Sequence, residues 1–159
     1  MNGISEAVLV AATVGNGLLA GVFFGFSCGV VPGLRRVDDR SFVTVVRAVN
    51  LSIVNGLFLL VFLGAPISTV AAIALHLDAS GREALPWLVS GLLLALLSFA
   101  VTVAVNVPLN NRIGTAPIDG DARLRQARDG FERRWNRWNH VRTAASTVAL
   151  VVLAIGLAA

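Results

Sequence analysis

The chain has 159 residues, 56% of them hydrophobic and only 14% charged, where an ordinary soluble domain carries about a quarter charged residues. All 13 basic residues are arginine, set against nine acids for a net charge of +4. With a mean hydropathy of +0.78, this excludes a soluble domain with a basic nucleic-acid-binding face, so no nucleic-acid partner is expected. Four long runs almost free of charge predict an all-α, integral membrane four-helix bundle forming a single domain. The single cysteine, Cys28, lies inside the first run, so neither an intramolecular disulfide nor a cysteine-based metal site is expected.

The first predicted span covers 7–34. No basic segment precedes it and it is longer than a signal-peptide core, so it is expected to be a helix of the mature protein. Gly17, Gly21, Gly25, Gly29 and Gly33 recur at spacing four. Such a small-residue face lets another helix approach closely, first within the bundle and second in a homo-oligomer through Gly17, Gly21, Gly25 and Gly29. Asn16 is a polar group within the span and needs a partner there. Pro32 is expected to kink or end the helix.

The connection 35–50 carries four arginines and two acids, Asp38 and Asp39. Within it, Phe42, Val45, Val46 and Val49 follow the spacing of a short amphipathic helix, with Asp38 or Asp39 as its cap. The second span is predicted at 51–75. Asn50 and Asn55 lie at its start, about 140° apart if the helix is regular. Pro66 is expected to kink it. His76, at the far end, reads as an interfacial residue and not a ligand.

The third span is predicted at 86–109, started by Pro86 and anchored by Trp87. Ser98, Thr102, Asn106 and Asn110 form a polar stripe at spacing four. It should face the bundle interior, since lipid offers no hydrogen bonds. Pro108 removes the donor for the Ala104 carbonyl. After a loop at 111–120, Leu124, Phe131, Trp135, Trp138 and Arg142 share one face of a basic amphipathic helix. It is expected to lie on the membrane surface and to run without a break into the fourth span, 141–159.

Arginines divide four, one and eight among the three connections. The first and third should therefore be cytoplasmic and both termini outside, in a plasma membrane and here a bacterial one. This topology gathers Asn50, Asn55, Asn106 and Asn110 at one depth with Trp135, Trp138, Asn139, His140 and Arg142. Amides and indole N–H groups can donate to carbonyl or phenolate oxygens, and indole faces can stack on a flat ring. Arg142 can hold an enolate, Asn139 can help it, and His140 is the near-neutral base. The same residues are also ordinary helix bridges and headgroup anchors. No acid lies within a span and no second histidine is nearby, so no metal is expected.

At Ala20-Gly21-Val22-Phe23-Phe24 through Pro32, Asn50 with Asn55-Gly56-Leu57-Phe58, Asn106 through Asn110, and Trp135 through Arg142, the chain resembles the anthrone oxygenase-like family of small four-span membrane proteins. The resemblance covers nearly the whole chain. Some fungal relatives are associated with oxidising anthrones to anthraquinones. The resemblance implies an oxygenase without a cofactor, with His140, Arg142 and Asn139 as catalytic candidates and Asn50, Asn55, Asn106, Asn110, Trp135 and Trp138 as binding candidates. The alternative is a non-catalytic membrane protein that binds a lipid or a small hydrophobic molecule, or a helper subunit. Membrane lipids and a flat aromatic ligand are the expected partners.

Overall fold

The computed structural model describes residues 3–77 and 82–159. Among them are five helices: α1 (Gly3–Leu34), α2 (Asp39–Ile53), α3 (Gly56–Leu75), α4 (Leu85–Thr115) and α5 (Asp121–Ala158). All but α2 are long and apolar enough to cross a membrane. The fold is an all-α helical bundle. α1 packs against α3 and α5, and α4 packs against α5 and α3. Large apolar side chains such as Ile67 and Leu93 point outward and are two-thirds exposed, the pattern expected where the surrounding solvent is hydrocarbon. The expected short connection after the second span lies in part outside the described residues.

Close helix approach is set by fewer glycines than the stripe in α1 predicts. A Cβ on Gly91 would sit 2.7 Å from Leu153, and one on Gly156 would sit 2.8 Å from Leu88. These two notches let α4 and α5 interlock. In α1, Gly15 faces Ala65 and Gly17 faces Leu150, whereas Gly21, Gly25, Gly29 and Gly33 have no such neighbour.

Pro32 and Pro108 do not end their helices. Each follows a π-helical segment, Phe26–Val30 in α1 and Thr102–Asn106 in α4, and sits six positions after its first residue. A proline ring cannot donate to the carbonyl four residues back and collides with it. Widening the preceding turn, so that Val31 N–H donates to the Phe26 carbonyl and Val107 N–H to that of Thr102, lets the helix pass. Such bulges are frequent at functional sites.

Three further expectations change. α2 does not feed directly into α3. The helix breaks at Val54–Asn55, and Asn55 caps α3 by accepting from Phe58 N–H at 3.0 Å. The third span extends to Thr115, and the fourth begins at Asp121. As its pattern predicts, the basic amphipathic helix runs without a break into the fourth span: α5 is one helix of 38 residues. Its basic half packs against α2 and the end of α4, around a core of Phe42, Val43, Val46, Leu109, Ile113, Leu124, Phe131 and Trp135. His76, expected at an interface, is only 1% exposed, with its Nδ1 2.6 Å from the Ala72 carbonyl.

This arginine-rich end is held by side chains that close helix termini. Asp38 caps α2, accepting from the Ser41 N–H at 3.0 Å and its hydroxyl at 2.7 Å. Arg47 donates to the carbonyls of Ile113 and Ala116 at the end of α4. Arg128 donates to the carbonyls of Leu34, Arg35 and Val37 after α1, pairs with Asp39 and Glu132, and lies over the Phe42 ring. Orphan carbonyls at helix ends need such donors.

Candidate functional site

Just inside that end, the two π segments and the α2–α3 break surround a cavity of about 80 Å³. Its walls are Phe23 and Phe26 of α1, Asn50 of α2, Phe58 of α3, Thr102, Asn106 and Asn110 of α4, and Trp135 and Arg142 of α5. Val54 and Val107, 63% and 42% exposed, stand at its edge, so the mouth is apolar and faces laterally between helices.

The dominant charge is Arg142, 5% exposed. Its Nη2 donates to Asn139 Oδ1 at 2.6 Å and its Nη1 to Thr102 Oγ1 at 3.3 Å. Its guanidinium lies 4.3 Å from the Phe23 ring centroid and 5.4 Å from that of Trp135. Each ring contact can contribute about 0.5–2 kcal/mol. Among the described residues no carboxylate pairs with it, and Nε has no partner. A buried guanidinium normally stays charged, and a charge inside a membrane is costly unless paired. The arrangement leaves one unpartnered donor and a net positive charge at the cavity wall.

Neighbouring groups hold Arg142 in place. Asn139 donates to the Phe23 carbonyl at 3.0 Å and the Ser27 hydroxyl at 2.8 Å. Asn139 therefore ties α5 to the start of the π segment in α1 while its oxygen takes the guanidinium. Thr102 donates to the Ser98 carbonyl, and Ser146 bonds the Ser98 hydroxyl. The polar stripe of α4 does face inward, as its spacing predicts. Trp135 Nε1 donates to Asn110 Oδ1 at 2.8 Å, which fixes the indole as a wall. Asn106 reaches the Trp135 carbonyl at 3.4 Å, and its Oδ1 is buried without a partner, as is Nδ2 of Asn50. Buried amides in native proteins are rarely left so. One donor of Arg142, one of Asn50 and one acceptor of Asn106, all residues of the cavity wall, are left without a partner.

Six of the nine residues picked out in the sequence come together: Asn50, Asn106, Asn110, Trp135 and Arg142 on the wall, and Asn139 behind Arg142. Three do not. His140 is exposed on the outer side of α5 and does not line the cavity. One step of 100° separates it from Asn139, enough to put neighbours in sequence on opposite environments. Asn55 is exposed and engaged as a helix cap. Trp138 is half-buried and outside the lining. The aromatic walls Phe23, Phe26 and Phe58 carry no polar signal in the sequence. The phenylalanines of Phe23-Phe24 and Gly56-Leu57-Phe58 were visible only through the family resemblance. Among the described residues no three His, Cys, Asp or Glu side chains gather at one place.

A family model described as anthrone oxygenase matches residues 56–152, well over half of the chain. The chain belongs to the anthrone oxygenase family. No curated protein and no solved structure matches it. The match runs from the first turn of α3 into the last turns of α5. It therefore contains Asn106, Asn110, Trp135, Asn139 and Arg142, the polar side of the cavity. Phe23, Phe26 and Asn50 lie before it. This member of the anthrone oxygenase family is a helical membrane protein with a buried cationic cavity near its arginine-rich end.

Proposed function

We propose that this protein oxidises a flat phenolic or anthrone-type substrate with dioxygen in the cavity beside Arg142. What supports the reading is that buried guanidinium on the wall of an aromatic-lined cavity, with neutral partners only and none for Nε. The substrate enters from the bilayer through the apolar edge at Val54 and Val107 and lies against Phe23, Phe26 and Trp135. By the arginine distribution the cavity sits at the cytoplasmic leaflet of a plasma membrane.

The chemistry is enolisation followed by oxygenation. Arg142 and the Asn50 amide hold the ring carbonyl oxygen, and the charge that develops there when the benzylic C–H ionises is stabilised in a dry site. The wall carries no carboxylate or imidazole, so oxyanion stabilisation promotes ionisation and the proton leaves to water at the headgroups. The carbanion carbon forms a C–O bond to dioxygen, giving a hydroperoxide once protonated. Loss of the second C–H hydrogen with cleavage of the O–O bond leaves a carbonyl and expels water. A CH₂ group and O₂ become C=O and H₂O, and all the electrons come from the substrate carbon, so the reaction calls for no cofactor.

Oxygen uptake by the purified protein in nanodiscs, with an anthrone as substrate, tests this. Arg142→Met should lower kcat by about 10²-fold or more, the usual effect of removing an oxyanion donor. A near-wild-type rate in that variant would remove Arg142 from the chemistry. The absence of a base on the cavity wall favours a second reading, a non-catalytic binder of a flat hydrophobic ligand. It would show saturable anthrone binding with no oxygen consumption.

A further inference from the structure

A second, smaller chamber of about 20 Å³ adjoins the ligand cavity on the side of the arginine-rich end. The two share Phe26, Val49, Asn50 and Trp135 as a common wall, with the Phe26 and Trp135 rings 5.6 Å apart. Nine of its eleven lining residues are apolar, Phe42, Val46 and Phe131 among them. The other two are Asn50 and Asn136, and the Nδ2 of each is buried without a hydrogen-bond partner. Asn136 is 94% removed from solvent (6% exposed). The Trp135–Arg142 stretch places it next to the indole and toward this chamber, where the ligand cavity does not use it.

Size and chemistry narrow the occupant. Roughly 10–15 Å³ of such space is needed for one water-sized molecule, so the chamber holds something of two heavy atoms and no ring. Apolar walls favour a gas over a hydrated ion, since apolar cavities take up gases such as xenon. The Asn136 amide on its wall, whose Nδ2 has no partner, suits a molecule that acquires negative charge on oxygen as it reacts. We infer that this chamber is a dioxygen-holding subsite, with Asn136 hydrogen-bonding the oxygen as it takes charge from the substrate carbon. The inference rests on the oxygenase reading for its chemistry. It adds where the second substrate waits: behind the Phe26–Trp135 pair.

Two measurements test it. Crystals pressurised with xenon should show an atom bounded by Phe42, Val46 and Phe131, and none there in Val46→Phe, which fills the space. In steady-state kinetics with dioxygen varied, Val46→Phe should raise the KM for dioxygen about tenfold and leave the KM for anthrone within about twofold. Should that variant not fold, Val46→Leu should give a smaller shift of the same kind. Asn136→Leu should lower kcat without moving the anthrone KM. Ordered water in the chamber of unpressurised crystals, no xenon, or an unchanged dioxygen KM in a folded Val46 variant would each overturn the inference. Xenon in the chamber of a protein that consumes no oxygen with anthrone would leave the gas site standing and remove the oxygenase reading.

Discussion

Arg128 and Arg142 lie on the same side of α5, four turns apart, and they are treated in opposite ways. Arg128 has two carboxylates, three backbone carbonyls and an aromatic ring around it. Arg142 is more deeply buried, has two neutral side-chain oxygens, and keeps one N–H unused. At the arginine-rich end, charge closes helix termini and joins α1, α2 and α5. Inside the bundle, the same residue type is held in place with its charge unanswered. A satisfied network stabilises; an unsatisfied one inside a cavity is available to a ligand.

The largest effect that would break this contrast is on stability. Arg128→Ala should destabilise the protein by about 3 kcal/mol, because it removes two ion pairs and the donor to three carbonyls. Arg142→Met should cost clearly less, since relief of desolvation offsets the lost bonds to Asn139 and Thr102 and the ring contacts. Thermal melts of both variants in one detergent check this, and equal losses would mean that Arg142 is structural too.

A smaller effect separates two asparagines five residues apart. Asn55→Ala removes the α3 cap and should cost about 1 kcal/mol with anthrone affinity unchanged. Asn50→Ala should weaken anthrone binding about tenfold, the loss of one directed hydrogen bond in a dry site, with little change in melting. Binding titrations and melts on both proteins distinguish them, and reversed outcomes would move the site away from the cavity.

His140→Ala should keep oxygen uptake within about twofold of wild type, as expected for an exposed residue outside the cavity. A loss on the scale expected for Arg142→Met would restore His140 as the base.

The last expected effect is on the acid side of stability. The Ser41 N–H, and then its hydroxyl, hold the Asp38 carboxylate below the usual carboxylate range. In the unfolded chain it titrates near its ordinary value, about 3.9. The cap therefore contributes fully above that pH and is lost as pH falls through the lower folded value. Asp38→Asn caps equally well and does not titrate, so melts from about pH 6 to 3 should show a shallower acid decline in that variant.

Much of this was legible in the residues. Hydropathy alone sets four spans, because charge inside a bilayer is prohibitive and its absence over about twenty residues is hard to mistake. The stripe from Ser98 to Asn110 shows an inward face, since lipid cannot satisfy it. The cluster of amides, indole and guanidinium at one depth follows from arginine counts and chain order. Less legible was which member of each pair takes part. Asn50 and Asn55, Asn139 and His140, Trp135 and Trp138 look alike as residue types, and a single helical step or a break at Val54 separates wall from surface.

By itself, then, the sequence determined the helices, their approximate ends and the side of the bundle that holds polar chemistry, because those depend on local hydropathy and periodicity. Tertiary structure decided that Pro32 and Pro108 are crossed by π turns, that Asn139 is taken up by Phe23 and Ser27, and that Arg142 is left without an anion. Those are facts about which helices meet at which height. They depend on contacts between residues more than a hundred positions apart, such as Asn139 and Phe23, which no local pattern records.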